Sequence, residues 1–161
     1  MRILLPTKSY DAITIQGKRL NTALYQCKAK QLTVNTAYGS IALNNTDFQR
    51  AALSSETAGI HVERSRIHHL EIHNDSGDTV LFDNQLRYIR YFGDSGGLNA
   101  LTDKIKGIWE LSSDEGNIYI GTRKWHNNLL LRLSSDEGTV KAFSKTKPWK
   151  ETISEALTEH E

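Results

Sequence analysis

Three segments decide the reading of this chain: Leu70–Phe82 (LEIHNDSGDTVLF), Ile89–Leu101 (IRYFGDSGGLNAL) and Trp109–Gly121 (WELSSDEGNIYIG). Laid over one another, they share a small residue at a turn, Gly77, Gly96 and Gly116. Apolar residues alternate on both sides of it. Outward from these three, the same mark recurs at Gly39 and Ala58 before them and at Gly138 after them, with spacings of 19, 19, 19, 20 and 22 residues. A period this short excludes the helical repeat families, and the Leu and Asn columns of leucine-rich repeats are missing.

Fixed distances from the mark carry the same chemistry. Seven residues before it stand Leu32, Ala51, Leu70, Ile89, Trp109 and Leu131; five before it, Val34, Leu53, Ile72, Tyr91, Leu111 and Leu133. Two after it stand Ile41, Ile60, Thr79, Leu98, Ile118 and Val140; four after it, Leu43, Val62, Leu81, Ala100, Ile120 and Ala142. Nine after it, Phe48, Ile67, Leu86, Ile105 and Trp125 follow, which we expect to plug a return loop. Thr79 alone is not apolar, in a chain that is 38% hydrophobic overall. Residues two apart in a strand face the same side. Each unit therefore offers two short strands around a tight turn, where glycine supplies the positive φ that other residues resist. A single unit cannot bury its apolar side, but stacked copies can. The expected fold is all-β: a single-stranded parallel β-solenoid of about seven coils, counting a weaker first coil around Ile13 and Ile15.

An outward column tests the register. Six residues before the mark the chain reads Thr33, Ala52, Glu71, Arg90, Glu110 and Arg132. Stacked in register, the four charges alternate in sign along a ladder with about 4.8 Å between neighbours, as cross-strand pairing prefers.

The repeat domain is expected over residues 1–143. In the remainder, 144–161, Pro148 suits a first helical position, and Trp149, Ile153, Ala156 and Leu157 fall on one helical face. This segment is expected to form a short amphipathic helix that caps the last coil, whose open edge would otherwise invite association. A docking helix for a partner is the alternative.

Composition excludes several functions. Twenty basic against nineteen acidic residues leave a net charge of +1, so no global basic field exists to hold nucleic acid. One cysteine, Cys27, excludes an internal disulfide framework or a cysteine zinc cage; in the weak first coil it reads as a small filler. No stretch is apolar enough for a signal peptide or a membrane span. Two compartments stay open: the cell envelope or surface is expected if the chain is a piece of a longer protein, and the cytoplasm otherwise.

Three constellations invite chemistry. His69, Glu71 and His73 share an outward strand face, and two histidines at i and i+2 can chelate zinc; but Arg50 and Tyr88 flank His69 in register, and Arg90 flanks Glu71, which favours a structural role. Glu56, Asp75, Asp94, Asp114 and Asp136 form a column two residues before the mark, deepened by Glu115 and Glu137. Local turn chemistry is the first reading of that column, and a weakly held divalent cation the alternative. Tyr88, Phe92, Ile108 and Leu130 are expected to face outward as an apolar stripe, either a contact surface or the seat of the C-terminal helix. The motif DSGG at Asp94–Gly97 lies in a repeat turn with no matched base, so catalytic, cofactor-binding and metal-ligating residues are all expected to be absent.

The opening ILLPTKSYDAITIQ, with KAKQLTVNTAYGSIAL and SSDEGNIYIG, resembles the adhesin-like β-solenoid family of bacterial cell-envelope proteins over roughly residues 3–143. The resemblance implies a non-catalytic module of the cell envelope, linked to adhesion or to envelope stress responses, and transfers no catalytic residue. Hexapeptide acyltransferases, pectin-lyase-like enzymes and threonine-ladder ice binders fit less well. This chain lacks the six-residue period of the first, the Asp/Arg/Lys groove of the second and the Thr columns of the third. The expected function is a binding or structural module for a protein or glycan partner. A sensor domain of an envelope stress regulator and a carbohydrate-active enzyme are the alternatives.

Overall fold

The computed structural model describes residues 8–144, and they form twelve strands of one continuous sheet wound into about seven coils. Long and short strands alternate. The long ones are β1 (Ser9–Gly17), β3 (Lys28–Thr36), β5 (Asp47–Ser55), β7 (Arg66–Asn74) and β9 (Gln85–Gly93). The short ones are β2 (Thr22–Tyr25), β4 (Ile41–Asn44), β6 (Ile60–Glu63) and β8 (Thr79–Phe82). Near the C-terminal end the two kinds fuse into β10 (Leu98–Ser113) and β11 (Ile118–Ser135), and β12 (Val140–Ser144) closes the series.

Every pairing is parallel and runs between equivalent positions of successive coils. The outward column is continuous: Thr33 faces Ala52, then Glu71, Arg90, Glu110 and Arg132. The register read from the repeat is therefore the register of the fold. The apolar columns are inward and buried through the sixth coil, Thr79 among them. In the last coil Leu131, Leu133, Val140, Ala142 and Trp125 are only partly covered by the described residues. The helix expected over 144–161 lies outside the described residues, except that Ser144 ends β12. Among the described residues no helix is long and apolar enough to cross a membrane.

Three expectations about the coil are corrected. First, the residues nine after the mark do not sit in a loop; Phe48, Ile67, Leu86 and Ile105 are inward residues of strands, paired along the ladder or buried in it. Ladder pairing skips one residue just after Tyr10, Ala29, Phe48, Ile67 and Leu86, at 11, 30, 49, 68 and 87, where two successive side chains face outward and the long strand turns a corner. The longer spacings of 20 and 22 enter at this corner, where the register shifts between Ile105 and Gly107 and Gly107 takes φ +89°.

Second, the mark glycines do not adopt positive φ. They are needed because the turns stack closely: a Cβ at Gly77, Gly96, Gly116 or Gly138 would fall onto a backbone carbonyl of the turn one coil earlier. Ala58 is the exception. Positive φ occurs instead six residues after the mark, at Gln26, Asn45, Arg64 and Asp83 (φ 47–54°), where each short strand turns into the next long one. Once the strands fuse into β10, this corner disappears.

Third, the turn is not tied by the Asp two before the mark. The residue three before it does this from inside the coil. Thr36 Oγ1 accepts from the Gly39 N–H (3.1 Å), and the Ser55, Ser113 and Ser135 hydroxyls accept from residues 58, 116 and 138 (3.1, 2.9 and 2.9 Å). Asn74 replaces the hydroxyl by donating to the Gly77 carbonyl and to Thr79 Oγ1 (3.0 Å), which explains the one polar residue in the core columns.

A candidate binding face on the long strands

The corner and the stacked register together expose one flat face. Its columns lie eight, six and four residues before each mark, and the side chains project from strands fixed on both sides by the ladder. Around Ala51 and Ala52, short side chains leave an open depression of about 570 Å³, bordered by Arg50, His69, Tyr88, Glu71 and Arg90.

Charges on this face are unevenly matched. Glu110 takes two cations, Arg90 Nη2 at 3.3 Å and Arg132 Nη1 at 2.7 Å, and these hydrogen bonds hold its carboxyl below the usual glutamate value. Arg90 thus turns toward Glu110 and away from Glu71. The expected pairing of Glu71 with Arg90 fails for that reason: the register makes them neighbours, but Arg90 has carboxylates on both sides and satisfies one. Among the described residues Glu71 has no ion pair, and the same holds for Arg50 and Arg87.

The histidines are brought together in a different combination from the one the strand spacing suggests. His69 and His73 are not co-ligands. His73 Nε2 meets Asp75 Oδ1 at 3.1 Å and its ring packs against Phe92, with ring centres 5.0 Å apart. His69 stacks on Tyr88 (4.5 Å, 13° between planes), while its Nδ1 lies 3.2 Å from His68 Nδ1. Partial burial, then the nearby His68, Arg50 and Arg87, push the His69 pKa below the usual histidine value. His68 falls on none of the columns counted from the mark; the corner turns it outward beside His69.

Among the described residues no group of three or more His, Cys, Asp or Glu side chains could hold a metal ion. This sets aside the zinc reading of His69–Glu71–His73 and gives the cation alternative for Glu56, Asp75, Asp94, Asp114 and Asp136 no cage. Cys27 is buried, and that burial raises its thiol pKa, contrary to what a nucleophile needs. The apolar stripe does face outward: Phe92, Ile108 and Leu130 are exposed, and Tyr88 is half-buried. A second depression, of about 280 Å³, lies at the other corner between Phe82, Leu101, Gly121 and Arg123; there Arg123 is tied to Asp103 (3.2 Å).

No curated protein and no solved structure matches the chain. The Toastrack DUF4097 family model does, over residues 1–159. By that match the chain, from its first strand to the segment beyond β12, belongs to the Toastrack DUF4097 family, a domain family of unknown function.

Proposed function

We propose that the chain is a non-catalytic binding module, adhesin-like and of the cell envelope, that meets a glycan or protein partner with the outward face of its long strands. The observation that supports this reading is the open depression over Ala51 and Ala52, bordered by Glu71 and Arg50, neither of which has an ion pair among the described residues. Unpaired charges on a rigid sheet cost nothing in water and become useful when a ligand supplies their complement. A shallow, polar, open face suits an extended polymer better than a small molecule, which enclosed pockets favour. The test is retention of the chain on immobilised envelope polysaccharides and envelope proteins, with Glu71→Ala and Ala52→Arg variants in parallel. Loss of retention in both variants at unchanged melting temperature is expected; retention indifferent to both would reject the face. A carbohydrate-active enzyme is tested on the same glycans: turnover lost on removal of the Asp114 and Asp136 carboxylates would replace the present reading.

A second observation favours the stress-sensor alternative. The last coil leaves Leu131, Leu133, Val140 and Ala142 partly uncovered beside the point where β12 ends. In this reading a partner engages that end of the solenoid, and residues 145–161, which follow it in the sequence, are the output.

A further inference from the structure

The corner between β5 and β9 concentrates positive charge on neighbouring coils. Arg50 pairs in register with His69, and His69 with Tyr88, so the Cα atoms of Arg50 and Tyr88 stand about 10 Å apart at two ladder spacings. Arg87 precedes Tyr88 on the same corner, with its guanidinium 5.4 Å from the centre of the Tyr88 ring. All four of Arg50, His68, His69 and Arg87 are exposed. Long, flexible arginines on these positions can reach one group lying between them.

Hydrogen bonding fixes the state of the two rings. Arginine only donates, so the 3.3 Å contact from Arg87 Nη1 makes His68 Nε2 an acceptor. His68 then carries its proton on Nδ1 and donates to His69 Nδ1 at 3.2 Å, which leaves the His69 proton on Nε2. Two permanent guanidinium charges flank the two imidazoles without a carboxylate of their own. Lys30, next along the corner column, is held by Asp11 at 2.6 Å, and Arg90 by Glu110; Glu71, two residues along β7, is the carboxylate nearest in register to His69. The cluster therefore has donors and net positive charge, with one hydrogen-bond acceptor at its margin.

We propose that this corner binds an acidic polysaccharide. Arg50 and Arg87 take a carboxylate or sulfate group, His69 Nε2–H donates to it, and Glu71 accepts from a neighbouring sugar hydroxyl. The proposal rests on the binding-face reading and narrows it to one ligand class. Guanidinium groups present paired N–H donors that match the two oxygens of such anions, and charge-assisted bonds of this kind are the stronger ones.

The full chain is titrated calorimetrically at low salt with heparin (sulfate esters and carboxylates), polygalacturonate (carboxylates alone) and dextran (neither). Binding of one or both polyanions and not of dextran is expected, and which of them binds identifies the anion. Arg50→Ala and Arg87→Ala should each weaken that binding about tenfold or more, the loss that goes with removing a charge-assisted hydrogen bond, while Lys141→Ala, on β12 away from the corner, leaves it unchanged. Arg50 has no ion pair among the described residues, so Arg50→Ala keeps the test valid should Arg87→Ala unfold. Equal weakening by Lys141→Ala, duplex DNA bound as tightly as heparin, or no binding at all would overturn the proposal. Dextran binding undiminished by Arg50→Ala would overturn it while leaving the wider face reading intact; no retention on any glycan or envelope protein would remove both.

Discussion

Tyr91 and Gly93 depart together from the other five coils that carry the mark. Those coils place an aliphatic residue five before it and Thr, Ser or Asn three before it; the first coil, with Gly17 in register with Thr36, lacks the polar residue too. Tyr91 instead reaches along the interior, and its hydroxyl donates to the Gly96 carbonyl (3.1 Å) at the place where the missing side chain would act. A Cβ at residue 93 would collide with that hydroxyl. Gly93→Ser should therefore destabilise the fold by about 1–3 kcal/mol through overpacking. Tyr91→Leu with Gly93→Ser rebuilds the Leu111/Ser113 arrangement, so the double variant should lose much less than the sum of the singles. Urea denaturation of the three variants measures this, and additive losses would contradict the compensation. His69 offers a second test at this scale. Its pKa is lower folded than unfolded, so the unfolded chain binds more protons in that window. Stability from this group is complete above pH about 6.5, the unfolded histidine value, and falls as pH drops toward the folded value. His69→Gln should flatten the slope of stability against pH in that interval, with chemical denaturation at successive pH values as the measurement.

At the scale of the coil, the corner between short and long strands carries a ladder of its own. The Thr46 N–H and hydroxyl donate to Ser65 Oγ (3.1 and 2.9 Å), which in turn donates to the Glu63 carbonyl (2.9 Å). The Ser65 N–H donates to Asn84 Oδ1 (2.8 Å), and Asn84 Nδ2 donates to the Val62 carbonyl (2.7 Å). All three residues are buried. Ser65→Ala strands the N–H and hydroxyl donors of Thr46, while the Glu63 carbonyl keeps the Asn45 N–H (3.0 Å); the change should cost about 1–3 kcal/mol, read from the denaturant midpoint. Neither this ladder nor the positive-φ column beside it was legible in the sequence. Gln26, Asn45, Arg64 and Asp83 share a backbone state and no side-chain type, and Cys27, Thr46, Ser65 and Asn84 differ again. The apolar columns were legible because stacking makes the same demand on each coil. The reason for the mark glycines was not: it lies in the approach of two turns, which no single repeat contains. On the binding face, the adjacency of Arg50, His69 and Tyr88 follows from the period alone. The choice of Arg90 for Glu110 over Glu71 does not, since register supplies neighbours and geometry picks between them.

For the molecule as a whole, stability is close to one-dimensional, because each coil touches only the coils before and after it. Interior coils bury their apolar columns against two neighbours; the coil made from the end of β11 and from β12 has one neighbour among the described residues, and its inward residues are partly exposed. Opening should therefore begin there, since local unfolding costs least where the fewest apolar contacts are lost. In native-state hydrogen exchange, amides of Leu129–Ser144 that donate within the ladder should exchange faster than those of β5 and β7. Uniform protection along the solenoid would contradict the one-dimensional account. The same measurement weighs the cap: deleting residues 145–161 should accelerate exchange in Leu129–Ser144 and leave β3, β5 and β7 unchanged if that segment covers the last coil. Unaltered rates after the deletion would show that the end of the solenoid stands without it, and the stress-sensor alternative would lose the link between that end and its output.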